Sequence, residues 1–139
     1  MAFDSWLAQR AGDLDVALGR LVEVNSFSGN REGGNALVGR LVELFTIPGL
    51  TAQRMPSGRF ADHVIFRTKG QRGEAPIALL GHSDTVFPPG TFEGYRTEGG
   101  LRRGPGVFDM KGGLVSIAFA LKAIAEKQSL DTLPPLRIV

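Results

Sequence analysis

Between Ile77 and Leu114 the sequence passes from a strand pattern to a helix pattern through two glycine-bounded turns. No other stretch constrains the fold as much. Ile77-Ala78-Leu79-Leu80 is an uninterrupted apolar run, the pattern of a buried strand, and it delivers Gly81-His82-Ser83-Asp84-Thr85. Gly104-Pro105-Gly106-Val107-Phe108-Asp109-Met110-Lys111-Gly112-Gly113 comes next. Leu114, Ile117, Ala118, Leu121, Ile124 and Ala125 then recur at the spacing of an amphipathic helix. His82 and Asp109 therefore fall at the ends of regular elements, where side chains can be aimed into one cleft.

The flanking sequence supplies the remaining elements. Asp4 or Ser5 is placed to cap a first helix, whose stripe of Trp6, Leu7, Leu14, Leu18, Leu21 and Val22 is weakened by Gly12 and Gly19. Residues 25–34 read as a loop, and Leu37, Val38, Leu41, Val42 and Phe45 as one face of a second helix ending before Pro48-Gly49. Residues 51–55 and 63–68 are expected to be short strands, the second alternating through Val64, Phe66 and Thr68. Residues 69–74 form a turn cluster, residues 95–103 a hairpin around Gly99-Gly100, and residues 133–139 another strand. Helices alternating with strands predict an α/β fold. Because Leu136-Arg137-Ile138-Val139 reads as the first half of a buried strand, the chain is expected to be a fragment truncated in mid-strand.

Composition narrows the function classes. A chain of 139 residues with 42% hydrophobic and 22% charged residues fits one soluble globular domain. Its 16 basic and 14 acidic residues are dispersed, with no basic run to engage nucleic acid. The absence of cysteine excludes disulfides and thiolate metal ligands and is compatible with a cytoplasmic location. Met1-Ala2-Phe3-Asp4-Ser5-Trp6 has an early acid and no apolar core, unlike a signal peptide. The longest apolar segment, residues 114–125, is interrupted by Ser116 and Lys122 and is too short to span a bilayer, so no membrane association is expected.

His82 and Asp84 are two residues apart, so on an extended backbone their side chains point the same way. A histidine that holds a metal through one ring nitrogen needs a fixed partner for the other, usually a carboxylate. Alone, the pair reads more simply as a strand-end histidine beside a turn-forming aspartate. Asp109 shifts the balance: glycines on both sides let the backbone approach closely, and the helix that follows favours negative charge at its start. A carboxylate held there can bridge two cations, although it could instead be the N-cap of a helix starting near Met110. Their joint occurrence favours a metal site. His63, in another strand, is expected to be structural or superficial. A serine hydrolase using Ser83 is disfavoured because the nucleophile-elbow pattern ends in Thr85 rather than glycine. Asp109 at the third glycine position argues against a dinucleotide fingerprint, and Lys111 is not in a phosphate loop.

The two signature blocks, 80–86 and 104–113, resemble those of the zinc-dependent aminoacylase and carboxypeptidase family, which includes acetylornithine deacetylase, succinyl-diaminopimelate desuccinylase and glutamate carboxypeptidase. Phe87-Pro88-Pro89-Gly90-Thr91-Phe92 looks most like the glutamate carboxypeptidase branch. The resemblance implies that residues 1–139 are the N-terminal portion of a catalytic domain with a mostly parallel or mixed sheet flanked by helices. It also implies that the rest of that domain and a dimerisation domain are missing. By resemblance, His82 is a ligand of one zinc ion, Asp109 bridges two zinc ions (or cobalt in their place), and Asp84 is the catalytic carboxylate that orients His82. The family cleaves an amide beside a free carboxylate, in a small N-acyl amino acid or a peptide, with a water activated by both metals. Its general base lies in a Glu-Glu pair beyond the strand that begins at Leu136, which this chain does not contain. Glu126 precedes that strand and does not fill the role. The complete parent is expected to be a homodimer, and this chain alone is expected to be inactive.

Overall fold

A computed structural model describes residues 3–139; the Met1-Ala2 part of the N-terminal reading lies outside the described residues. The first predicted helix divides at Arg10 into α1 (Phe3–Gln9) and α2 (Ala11–Val22). Asp4 lies inside the first turn of α1, so the expected cap at Asp4 or Ser5 does not form, and Asp4 offers its charge to the helix dipole. The Arg10 guanidinium lies 3.9 Å from the Trp6 ring centroid and pairs with Glu126, tying the break to the far end of the chain. Helix α3 (Arg31–Leu44) begins earlier than expected and takes in Gly33 and Gly34. Two contacts outweigh the poor helix propensity of glycine: Asn30 caps the Gly33 amide, and Gly34 packs so tightly that a Cβ would lie 2.5 Å from that of Ala61.

Strands β1 (Leu50–Met55) and β2 (His63–Thr68) pair antiparallel, and β3 (Ile77–Leu79) follows the 69–74 turn. A hairpin of β4 (Arg96–Glu98) and β5 (Leu101–Arg103) forms a separate ladder, turned by Gly99 and Gly100, both at positive φ. Helix α4 (Gly112–Ala125) and β6 (Leu136–Ile138) complete the chain. The main sheet runs β1-β2-β6-β3, with β6 antiparallel to β2 and parallel to β3. A parallel neighbour requires a long crossover, which the hairpin and α4 provide. The fold is thus α/β with a mixed sheet, as the sequence predicts.

The core lies between the helices and one face of this sheet. Leu37 and Ala118 are fully buried, and Phe45 of α3 stacks on Phe66 of β2 with centroids 4.5 Å apart. The expectation of a buried β3 is not met. It is an edge strand bonded only to β6, with Ile77 46% exposed and Leu80, just past its end, 77% exposed. An apolar run is buried on both faces only in a strand covered on both faces, and among the described residues β3 lies at the sheet edge without such cover. No helix among the described residues is long and apolar enough to cross a membrane.

The hairpin is fastened to α2 by one carboxylate. Asp15 accepts hydrogen bonds from the Tyr95 hydroxyl and the Arg102 guanidinium, chiefly the latter, which hold it below the usual carboxylate range. The Tyr95 ring lies against Gly19, where a Cβ would come within 2.9 Å. Asp15→Ala is therefore expected to raise amide hydrogen exchange several-fold in the hairpin while leaving β2 unchanged. Equal protection of the hairpin in both proteins would contradict this anchoring.

Candidate metal centre

The site is built where the chain leaves β3 and where it enters α4. The Gly81 amide donates to the Val139 carbonyl at 2.8 Å, extending the β3–β6 ladder to the threshold of His82. A Cβ at Gly81 would lie 3.0 Å from Leu114 Cδ2 and 3.3 Å from Met110 Cε, so a small residue there lets the two segments close on each other. The His82 amide faces Met110 Sδ at 3.4 Å.

On the other side, residues 107–111 form a wide turn in which Asp109 and Met110 depart from helical dihedrals. The Asp109–Met110 peptide is cis. This turn removes the helix-cap alternative for Asp109: the residue before α4 is Lys111, and no side chain caps the helix there. Asp109 Oδ1 instead lies 2.8 Å from His82 Nε2. The second ring nitrogen, Nδ1, lies 3.2 Å from both the carbonyl and Oδ1 of Asp84. The three predicted residues therefore meet, with the imidazole between two carboxylates. Because both ring nitrogens face Asp84 or Asp109, neither is directed at Ser83 as a serine hydrolase would need. The Asp109 carboxylate pushes the His82 pKa above its ordinary value; the Asp84 carbonyl adds to this and partial burial opposes it.

The group is open on one side, with side-chain exposures of 45% for His82, 54% for Asp84 and 76% for Asp109. His82 and Asp84 line one side of a largely apolar cleft of about 550 Å³ between α3 and the sheet, whose other walls include Val38, Phe45 and Phe66. His63 borders the same cleft but does not join the imidazole–carboxylate group. Among the described residues no three histidine, cysteine or acidic side chains converge as a complete metal site. His82 Nε2 and Asp109 offer two donors to one locus, and the Asp84 carboxylate behind the ring is the usual way a histidine ligand is oriented. The donor set fits part of a metal centre.

Two contributors escaped the sequence reading. Ser28 donates its hydroxyl to Asp84 Oδ2. Lys111 is wholly buried, and its Nζ donates to the Val24 carbonyl at 3.1 Å, with desolvation lowering its pKa to about 8.

Residues 78–136 match the model of Peptidase family M20/M25/M40. Over those residues the chain is similar to this peptidase family. It is 34% identical over 135 residues to carboxypeptidase G2 of Pseudomonas sp. (strain RS-16), an alignment covering 88% of this chain and 31% of that protein. Its fold is similar to that of human carnosine dipeptidase 1, with a TM-score of 0.78 and 14% identity over 98% of this chain and 33% of that one. It is also similar to a di-peptidase from Saccharomyces cerevisiae, with a TM-score of 0.74 and 16% identity over 94% of this chain and 32% of that one. The chain therefore spans about a third of the length of the relatives it matches.

Proposed function

We propose that residues 1–139 form the N-terminal portion of the catalytic domain of a zinc-dependent M20 hydrolase. That enzyme would cleave an amide next to a free carboxylate in a small N-acyl amino acid or a peptide. The observation that carries this reading is the seating of one imidazole between two carboxylates, His82 between Asp84 and Asp109, at the junction of β3 and the α4 turn. His82 Nε2 and Asp109 are the groups that would hold the metals, Asp109 as the shared ligand. A pair of divalent cations supplies a lowered water pKa and neutralisation of charge developing on the amide. With a metal bound, Asp84 would accept the Nδ1–H of His82 and leave the Nε2 lone pair for the metal. Asp109 is mostly exposed and meets His82 through Oδ1, so its other oxygen would be available to a second cation.

The remaining ligands and the general base lie outside this chain in our reading, and the chain alone is inactive. Coverage of only about a third of the relatives' length supports this reading. Assembly of the parent as a homodimer belongs to the same proposal.

Zinc is expected to bind the 139-residue chain weakly and to expel a proton from His82, since the imidazolium proton and the metal compete for Nε2. A raised His82 pKa widens that competition: affinity falls as pH drops through it and is independent of it well above. Calorimetric titration in two buffers of different ionisation enthalpy reads both the affinity and the proton count. His82→Ala should remove the binding; unchanged affinity in that variant would sink the metal reading. Robust hydrolysis of N-acyl amino acids by the chain with zinc would overturn its inactivity.

A further inference from the structure

The connection between α2 and α3, residues 24–28, lies against the back of the site, and its contacts have no part in the chemistry described above. It runs beside residues 83–85 in a short strand-like pairing. The Ser26 hydroxyl donates to the Ser83 carbonyl at 2.8 Å, the Thr85 amide to the Ser26 carbonyl at 2.9 Å, and the Ser28 amide to the Thr85 carbonyl at 3.1 Å. Ser26 and Thr85 are buried, so the pairing is shielded from water. At its start the segment is pinned by Lys111 Nζ on the Val24 carbonyl, two residues beyond Asp109 in the chain. At its end the Ser28 hydroxyl meets Asp84 Oδ2, while Asp84 Oδ1 faces His82 Nδ1. The contacts close a ring: 111 to 24, 28 to 84, 84 to 82, 82 to 109.

We propose that Ser28 is a positioning residue for the metal centre, acting through Asp84. A carboxylate has two oxygens on one rotor, so a donor fixed on Oδ2 sets where Oδ1 points. Ser28 is fixed because its backbone is paired to Thr85 on a segment anchored at Lys111. It therefore holds Oδ1 against Nδ1 and keeps that nitrogen protonated, which keeps the Nε2 lone pair free for a metal. This rests on the proposed role of His82 as a ligand, but the orienting contact itself exists without metal.

The test uses the fact that the chain has only two histidines, so ring-nitrogen NMR signals of His82 are read against His63 as an internal control. Asp109→Ala removes the competing acceptor at Nε2; in that background, at about pH 9 where histidine is neutral, His82 should be mainly the Nδ1–H tautomer. Ser28→Ala should shift it to mainly Nε2–H, Ser28→Thr should retain Nδ1–H, and Ser28→Ala should have no further effect once Asp84→Asn is present. With Asp109 intact, Ser28→Ala should weaken zinc binding roughly tenfold. An unchanged tautomer in Ser28→Ala, or an equal effect with and without Asp84, overturns the proposal. If the unaltered chain binds no zinc, the metal reading fails while the tautomer measurement still decides the role of Ser28.

Discussion

Lys111→Met is expected to make the chain more stable at pH 7, by roughly 1–2 kcal/mol, although it deletes a hydrogen bond. The Lys111 side chain is wholly buried, and desolvation lowers its pKa from 10.5 to about 8. A shift of that size corresponds to about 3 kcal/mol of cost for keeping the ammonium charged in the folded state. Loss of the bond to Val24 returns about 1–2 kcal/mol of it, because the carbonyl is left without that donor. Methionine keeps the apolar stem, so no large cavity opens. The pH dependence carries the sign. Between about pH 8 and 10.5 the unfolded chain binds a proton at Lys111 that the folded chain does not, so stability from this group rises with pH in that window. Below it the cost is fully present. The advantage of Lys111→Met should therefore shrink steadily above pH 8, as urea unfolding of both proteins at a series of pH values would show. A constant difference across the window would contradict the desolvated ammonium.

A charged group retained against this cost points to what it holds in place. Lys111 joins the turn that carries Asp109 to the segment that carries Ser28, and that link is where sequence reading stops. Local signals were legible. The alternation through Val64, Phe66 and Thr68 marks the same bounds that β2 has, and Gly99-Gly100 marks the hairpin turn because both positions need positive φ. His82 and Asp109 could be paired because their flanking patterns, strand end and helix start, are themselves local. Ser28 and Lys111 could not be found in this way. Their partners, Asp84 and Val24, are 56 and 87 positions distant, and nothing in an isolated serine or lysine announces such a contact. Two of the departures at the level of the fold have the same origin. Gly33 and Gly34 look like loop residues until Asn30 and Ala61 are beside them, and Ile77 to Leu80 look buried until the sheet order leaves β3 at an edge.

Gly106→Ala should cost roughly 2–4 kcal/mol and misplace Asp109, whereas Gly90→Ala should cost only about 1–2 kcal/mol. The two glycines share a φ of +81°, so the left-handed backbone penalty for an L-residue is common to both. They differ in surroundings. At Gly90 an added Cβ meets nothing within 4 Å. At Gly106 it would lie 3.0 Å from Lys111 Cδ, 3.1 Å from Lys111 Cγ and 3.1 Å from Thr85 Cγ2. Those neighbours have little room to yield. Lys111 is buried and held at Nζ by Val24, and its amide donates to the Gly106 carbonyl at 2.7 Å. Thr85 is buried and bonded through its backbone to Ser26 and Ser28. Relief must come from opening the turn that presents Asp109, which pulls its carboxylate away from His82 Nε2. Denaturant unfolding would read the stability difference between the two variants, and zinc titration would read the displaced ligand. If both alanine variants unfold at the same denaturant concentration, the close fit around Gly106 is not what holds Asp109 in place.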